Sequence, residues 1–276
     1  MSEQLDRLIR NIEPCCQEGI VLGFSGGTDS ALLLAVLSLL RRKKMFPAAA
    51  VMMYSPFQKE SELQEAKILA EQYSVSFTVL HYDPLSIPEI RFNSRERCYF
   101  CKKHFFSGIL AFAAENGMKY VFDGTNTDDF EKYRPGQKAI RELGIRSPLA
   151  ESGFSKADVR AVSRELGLIT AEKPASPCLA TRFDYGMELT PEKIQKVSEG
   201  EGIIRRFLPD AEEIRLRMEK DSARIEVSSD RIPALLEQKD LIIPVLQAAG
   251  FEKITIDPSG YRSGSFDNFS TDGLKK

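Results

Sequence analysis

Apolar residues recur along the chain in two distinct periods. Two unbroken runs, Ile20-Val21-Leu22-Gly23-Phe24 and Ala48 to Tyr54, have the length of strands buried on both faces, and Val75 to Leu80 and Lys119 to Phe122 read as further strands. Between them lie stretches with helical spacing. Leu5, Leu8, Ile9 and Ile12 mark a short amphipathic helix within Ser2 to Cys16. Ala31 to Leu37, Glu60 to Tyr73, and Arg97 through Phe112 to Asn116, stopped by Gly117, read as further helices. Strand alternating with helix predicts an α/β domain with a parallel sheet covered on both faces. Pro84 to Arg97 is polar and contains prolines, and it predicts a loop over the active face. Gln137 to Leu143 forms a basic helical segment. Ser155-Lys156-Ala157-Asp158 is a capping box for a helix ending at Leu166-Gly167. Lys173 to Phe183 is interrupted by Pro174 and Pro177 and predicts no regular element.

Beyond this stretch the pattern changes. Thr190, with Pro191 at the first helical position, opens a helix to about Phe207. Ile214 to Met218 and Ala223 to Val227 alternate strictly, as half-exposed antiparallel strands do. Arg231 to Ala249 reads as a helix with a proline near each end, and Lys253 to Asp257 as a last strand. The expected organisation is an α/β domain over residues 1–185 and a smaller α+β domain over 186–276, with the boundary near Phe183 to Met187. Ser270 to Lys276 has the composition of a frayed tail.

At 276 residues and 42% hydrophobic content the chain can bury a sizeable core, and its length fits two domains better than one. A net charge of −2 supplies no global basic field, which argues against a protein whose main task is gripping nucleic acid. No apolar stretch is long enough to span a bilayer, and the charged start from Met1 to Gly19 lacks a signal peptide's apolar region, so a cytoplasmic, membrane-free protein is expected. Its five cysteines are then expected to be reduced, with Cys15 and Cys16 as small buried residues.

The densest chemistry lies between the first strand and its helix. Ser25-Gly26-Gly27-Thr28-Asp29-Ser30 follows a buried strand and opens a helix that ends in Arg41, Arg42, Lys43 and Lys44. Two glycines allow a tight turn around an anion, hydroxyls and amides donate to it, and the helix dipole favours negative charge there. The lysine of a Walker A loop is absent. Asp123 to Asp129 is an acidic turn at another strand's end, either a magnesium site facing a triphosphate or a solvated turn. Lys102, Lys103 and Arg134 are candidates for neutralising phosphate charge, or plain surface cations. Cys98 and Cys101 stand where a loop enters a helix, a position that favours the thiolate. With Cys178 they fit a structural pair, a redox dithiol, a zinc site completed by His104, or a three-cysteine iron-sulfur site. Arg215 and Arg217 are two apart on a strand and so share a side. With Arg262 they make a trio suited to an anionic nucleotide, or a salt-bridged strand face.

The six residues from Ser25 to Ser30 resemble the PP-loop of the ATP pyrophosphatases. In order along the chain follow Arg97-Cys98-Tyr99-Phe100-Cys101-Lys102-Lys103, Asp123-Gly124-Thr125-Asn126, Tyr133-Arg134-Pro135-Gly136, Ser147-Pro148-Leu149, Ala175 to Phe183, and Gly260-Tyr261-Arg262-Ser263-Gly264. Together they resemble the ATP-dependent sulfur transferases of the LarE type over nearly the whole chain. The resemblance implies a PP-loop fold and a reaction in which ATP and magnesium adenylate carboxylates of pyridinium-3,5-dicarboxylate mononucleotide. Sulfur then displaces AMP to give thiocarboxylates for the nickel-pincer cofactor of lactate racemase. It implies that Gly23, Phe24, Ser25, Gly26, Gly27, Asp29, Ser30, Met53, Ser55, Gly124, Lys102 and Arg134 hold ATP, with Asp29 also at magnesium. Arg182, Arg215, Arg217, Arg262 and Glu201 are implied for the substrate. Family members either sacrifice one cysteine, here Cys178, or hold a [4Fe-4S] cluster on three, which Cys98, Cys101 and Cys178 match. Sulfide or another sulfur donor and a homo-oligomeric state are further implications. A PP-loop tRNA thiolase, an amidating enzyme like the NAD or GMP synthetases, and an ATP-binding regulatory protein without turnover are the rival readings.

Overall fold

A computed structural model describes residues 2–130, 135–174, 176–220 and 222–262. The chain divides into two compact units, Met1–Cys178 and Leu179–Lys276, so the break falls inside the proline-interrupted loop, ahead of the Phe183 to Met187 stretch.

In the first unit, helix α1 (Glu3–Ile12) is capped by Ser2, whose hydroxyl accepts from the Leu5 amide, and buries Leu5, Leu8, Ile9 and Ile12. Strand β1 (Ile20–Gly23) lies centrally in a parallel sheet of order β3-β2-β1-β4, beside β2 (Ala48–Tyr54) and β4 (Tyr120–Phe122), with β3 (Ser76–His81) outside β2. Alternate side chains feed two cores. Ile20, Leu22 and Phe24 join Ala48, Ala50 and Met52 on the face covered by α1, α2 (Thr28–Lys43) and α8 (Lys156–Glu165). Val21 joins Ala49, Val51 and Met53 on the face covered by α5 (Arg97–Glu115) and α6 (Pro135–Glu142). Burial of both faces is why these strands read as unbroken apolar runs. Helix α3 (Glu60–Gln72) connects β2 to β3.

Two stretches expected to lack regular structure, Pro84 to Arg97 and Lys173 to Phe183, contain helical turns, and a further short helix begins at Pro148. Between Pro84 and Arg97, a 3-10 turn at Pro84–Ser86 forms because the Asp83 carboxylate accepts from the Leu85 amide, and Pro88 begins α4 (Pro88–Arg91). Pro148 likewise begins α7 (Pro148–Glu151), and Leu179–Arg182 is a 3-10 turn. Each is too short for periodicity to register.

In the second unit, β5 (Ile214–Met218) pairs antiparallel with β6 (Ala223–Val227), which pairs parallel with β7 (Ile254–Ile256). Helices α9 (Pro191–Phe207) and α10 (Ile232–Ala248) supply Ile203, Ile204, Leu235, Ile242 and Leu246 to the core under Leu216 and Ile225. The half-exposed strand face expected here is corrected: Arg215 and Arg217 are 7% and 5% exposed. Their charges are buried because acidic partners meet them inside the unit, as described below. Among the described residues no helix is long and apolar enough to cross a membrane.

Candidate functional site

Beyond β1 the chain turns through Gly26 at φ +70°, a conformation open to glycine and strained for other residues, and α2 begins after Gly27. A Cβ on Gly26 would lie 3.2 Å from that of Ala66 in α3, so the loop also needs the space. Within the loop, Ser25 and Ser30 hydroxyls are 3.2 Å apart, the Gly27 amide donates to Ser25 Oγ at 3.3 Å, and the Ser30 hydroxyl donates to the Gly27 carbonyl at 3.1 Å. Thr28 anchors the turn by donating to the Thr170 carbonyl at 2.9 Å. The result is a concave set of donors at the positive end of a sixteen-residue helix, the arrangement that suits a phosphate.

Asp29, in the first turn of α2, is held from both sides. Asn126 Nδ2 donates to Oδ1 at 3.1 Å, and Lys156 Nζ pairs with Oδ2 at 2.5 Å. Lys173 reaches the same loop, donating to the Gly26 carbonyl at 3.2 Å while pairing with Glu65 at 2.6 Å. Gly124 makes room for this junction, because a Cβ there would lie 3.2 Å from both Asp29 Cβ and the Ser30 amide nitrogen. In the acidic turn, Asp123 is buried and satisfied by the Ser147 hydroxyl at 2.6 Å and the Thr125 amide and hydroxyl, with Lys102 Nζ 3.8 Å away. Asp128 accepts from the Lys156 backbone amide at 3.2 Å, and the Asn126 amide donates to Asp129 at the same distance. Lys103 pairs with Glu142 at 3.5 Å and bonds the Tyr99 hydroxyl. Lys156 and Lys173 were not among the sequence candidates. Lys156 was hidden inside a capping box and Lys173 at the edge of a proline-rich loop, where a cation looks like an ordinary solvated residue.

At the end of β2, Met53 and Ser55 are buried, and the Gln58 side chain folds back onto their backbone. Tyr82 follows β3 next to this edge. Its hydroxyl lies 2.8 Å from Cys101 Sγ, and its amide donates to the Tyr54 carbonyl at 3.2 Å. Burial, then the neighbouring Cys101 sulfur, raises its pKa above the usual tyrosine value.

None of the five thiols is in a disulfide. Cys98 and Cys178 are exposed and Cys101 is half-buried. Burial pushes the Cys101 thiol up to about 11; the Tyr82 hydrogen bond opposes this, Cys178 and then Cys98 add to it, and Arg97 opposes it. The thiolate-favouring helix terminus is thus outweighed at Cys101 by desolvation and by the two other sulfurs. Arg97 is itself buried, donates to Asn93 and reaches Cys98 Sγ at 3.8 Å. Among the described residues no three His, Cys, Asp or Glu side chains are gathered closely enough to hold a metal ion, and His104 is exposed on α5. Cys98, Cys101 and Cys178 supply the donor type that an iron-sulfur cluster takes. Cys15 and Cys16 are buried; Arg146 donates to Cys15 Sγ at 2.7 Å, and burial raises both thiols, Cys16 to about 11.

In the second unit Arg182, Arg215 and Arg217 all have partners within the unit, and Arg262 is exposed at the end of the described chain. Arg182 and Glu201 form a buried ion pair at 2.8 Å. Arg217 pairs with Glu226 at 3.0 Å and donates to the Thr181 carbonyl. Arg215 pairs with Glu213 at 2.5 Å and lies over the Tyr261 ring at 4.9 Å. Arg134, Ser263 and Gly264 lie outside the described residues.

Residues 1–93 match the family described as NAD synthase. The chain is 37% identical over 254 residues, 91% of its own length and 90% of the relative's, to the pyridinium-3,5-bisthiocarboxylic acid mononucleotide synthase of Lactiplantibacillus plantarum. It is 36% identical over 253 residues to an uncharacterized protein of Synechocystis sp., covering 91% and 92% of the two chains. A third relative, an uncharacterized protein of Methanocaldococcus jannaschii, is 33% identical over 244 residues, with 88% and 91% covered.

Proposed function

The chain belongs to the pyridinium-3,5-bisthiocarboxylic acid mononucleotide synthase family, and from that premise we propose that it is an ATP-dependent sulfur transferase converting carboxylates of pyridinium-3,5-dicarboxylate mononucleotide to thiocarboxylates for nickel-pincer cofactor synthesis. The observation that carries this reading is Tyr82, whose hydroxyl lies 2.8 Å from Cys101 Sγ and whose amide donates to the Tyr54 carbonyl at the end of β2. A nucleotide edge and a set of thiols are thereby joined through one residue.

A carboxylate resists substitution because its leaving group is oxide. In the proposed reaction its oxygen attacks the α-phosphorus of ATP, the bond to the β-phosphate oxygen breaks, and pyrophosphate leaves. Hydrosulfide sulfur then attacks the acyl carbon, the bond to AMP breaks, and the hydrosulfide proton is lost to solvent. Ser25, Gly26, Gly27 and Ser30 donate to the departing pyrophosphate, as P-loops do to their phosphates. Asp29 helps hold magnesium, and Gly23, Phe24 and Gly124 let the nucleotide approach the backbone. Met53 and Ser55 receive the adenine. Lys102 and Arg134 neutralise phosphate charge, joined by Lys156 and Lys173. Lys103, tied to Glu142, serves the α5 to α6 contact instead. Cys98, Cys101 and Cys178 would hold a [4Fe-4S] cluster, which when bound supplies a transferable sulfide. Arg262 reads the substrate's anionic groups, while Arg215 and Arg217 are engaged by Glu213 and Glu226, and the Arg182–Glu201 pair orders the turn at Leu179–Arg182 on which Arg182 stands.

Iron and sulfide analysis with Mössbauer spectroscopy on anaerobically purified protein tests the sulfur source. Four iron atoms per chain support the cluster. Zinc in place of iron, or a dehydroalanine at Cys178 after turnover, would rule it out. The tRNA thiolase reading predicts tRNA binding with a steep salt dependence instead.

A further inference from the structure

We propose that Gln58 is a tethered stand-in for the nucleobase: its carboxamide occupies, in the nucleotide-free chain, the hydrogen-bonding pair that adenine must take, and ATP binds by displacing it. The inference rests on the reading of this edge as the ATP site and concerns how that site selects and admits the base.

The pair arises from unequal strand lengths. β1 and β2 run in parallel register up to Gly23 and Val51, and the Phe24 amide donates to the Val51 carbonyl at 2.9 Å. There β1 ends and its chain turns away into the phosphate loop, while β2 continues to Tyr54. In a parallel ladder alternate residues address the same neighbour. Tyr54 faces β3, since its carbonyl accepts from the Tyr82 amide at 3.2 Å. Met53 and Ser55 therefore face the side that β1 has vacated, leaving a carbonyl and, two residues on, an amide N–H with no strand to meet them. Both residues are buried, so the groups need partners.

Gln58 provides them. Its Nε2 donates to the Met53 carbonyl at 2.9 Å, and its Oε1 accepts from the Ser55 amide at 2.9 Å and from the Ser55 hydroxyl at 2.7 Å. The turn Ser55-Pro56-Phe57-Gln58, closed by the Gln58 amide donating to the Ser55 carbonyl at 3.1 Å, aims the side chain back at the strand. A primary amide presents a donor beside an acceptor, and so does adenine, whose 6-amino group lies next to ring N1. One backbone pair serves both ligands, and they exclude one another. Gln58 is half-buried, with solvent to receive it when it leaves.

The structural alternative is that Gln58 simply braces the turn, and the two accounts predict opposite signs. Gln58→Ala and the near-isosteric Gln58→Met remove the competing hydrogen bonds. Calorimetric titration of the full chain with ATP, adenosine and inorganic tripolyphosphate is expected to show ATP and adenosine binding about three- to tenfold more tightly to both variants. Tripolyphosphate, which has no base, should bind both variants as it binds the parent. Unchanged or weaker ATP binding in both variants, or an equal gain for tripolyphosphate, would overturn the inference while leaving the ATP site intact. A parent chain that bound neither ATP nor tripolyphosphate would defeat the nucleotide reading itself, and the inference with it.

Discussion

Lys156 Nζ lies 2.5 Å from Asp29 Oδ2, joining the first turn of α8 to the first turn of α2. The carboxylate expected to serve magnesium is thus paired with a cation. On the proposed function, the lysine is expected to turn toward phosphate oxygens when the metal and triphosphate bind. Lys156→Ala is expected to lower AMP formation by about tenfold or more through lost charge stabilisation. Its melting temperature should barely move, because a partly exposed pair contributes only about 0–1 kcal/mol to stability. Steady-state AMP release and thermal denaturation measured side by side check both halves.

The junction at Gly124 makes a steric prediction. A methyl group there meets Asp29 Cβ and the Ser30 amide, the atoms that must stay aligned for phosphate binding. Gly124→Ala is expected to destabilise the fold by about 1–3 kcal/mol and to weaken ATP binding. Calorimetric ATP titration and denaturant unfolding read the two effects. Unchanged ATP affinity would show that the loop does not depend on this close approach.

Helix α8 carries Lys156 and is fixed by a reciprocal cap: Ser155 Oγ accepts from the Asp158 amide at 3.2 Å, and Asp158 Oδ2 accepts from the Ser155 amide at 3.0 Å and hydroxyl at 2.6 Å. The Ser155 hydroxyl bond, then its backbone bond, lowers the Asp158 pKa in the folded chain. A lowered carboxylate contributes stability that is fully present above its unfolded pKa of about 3.9 and is lost as pH falls through the folded value. Ser155→Ala should therefore cost about 1 kcal/mol near neutral pH and less in strong acid. Urea unfolding across pH measures this difference.

The Arg182–Glu201 pair is almost wholly buried, at 1% and 2% side-chain exposure. Glu201→Ala leaves the guanidinium without its carboxylate and is expected to cost about 3–5 kcal/mol. Replacing both by leucine should recover much of that loss, as measured by denaturant unfolding of both variants. Equal destabilisation by the single and double replacements would contradict the buried-pair account.

The fold was legible where burial imposes a period. The runs at Ile20 to Phe24 and Ala48 to Tyr54 announced strands covered on both faces, and Ser155 with Asp158 announced a capped helix. The strand register of Arg215 and Arg217 was also readable, but their burial was not. Alternation reports that two residues share a side, not that Glu213, Glu226 and Tyr261 wait on that side. The same limit applied to the site. Ser25 to Ser30 and the Cys98, Cys101 pair are local motifs, whereas Lys156 and Asp29 stand 127 positions apart in sequence and meet only once the intervening chain has folded. Tyr82 meets Cys101 through the end of β3, and Gln58 meets Met53 because β1 stops early. Long-range partners of these kinds leave no periodic trace.

The most direct test supplies the full chain, reconstituted anaerobically with iron and sulfide, with ATP, magnesium, excess sulfide and pyridinium-3,5-dicarboxylate mononucleotide. AMP and thiocarboxylate are followed together by mass spectrometry. The account predicts one AMP for each thiocarboxylate formed, more than one thiocarboxylate per chain, and Cys98, Cys101 and Cys178 intact at the end. AMP release that requires tRNA or ammonia in place of the mononucleotide and sulfide, or turnover that stops as Cys178 loses its sulfur, would contradict it.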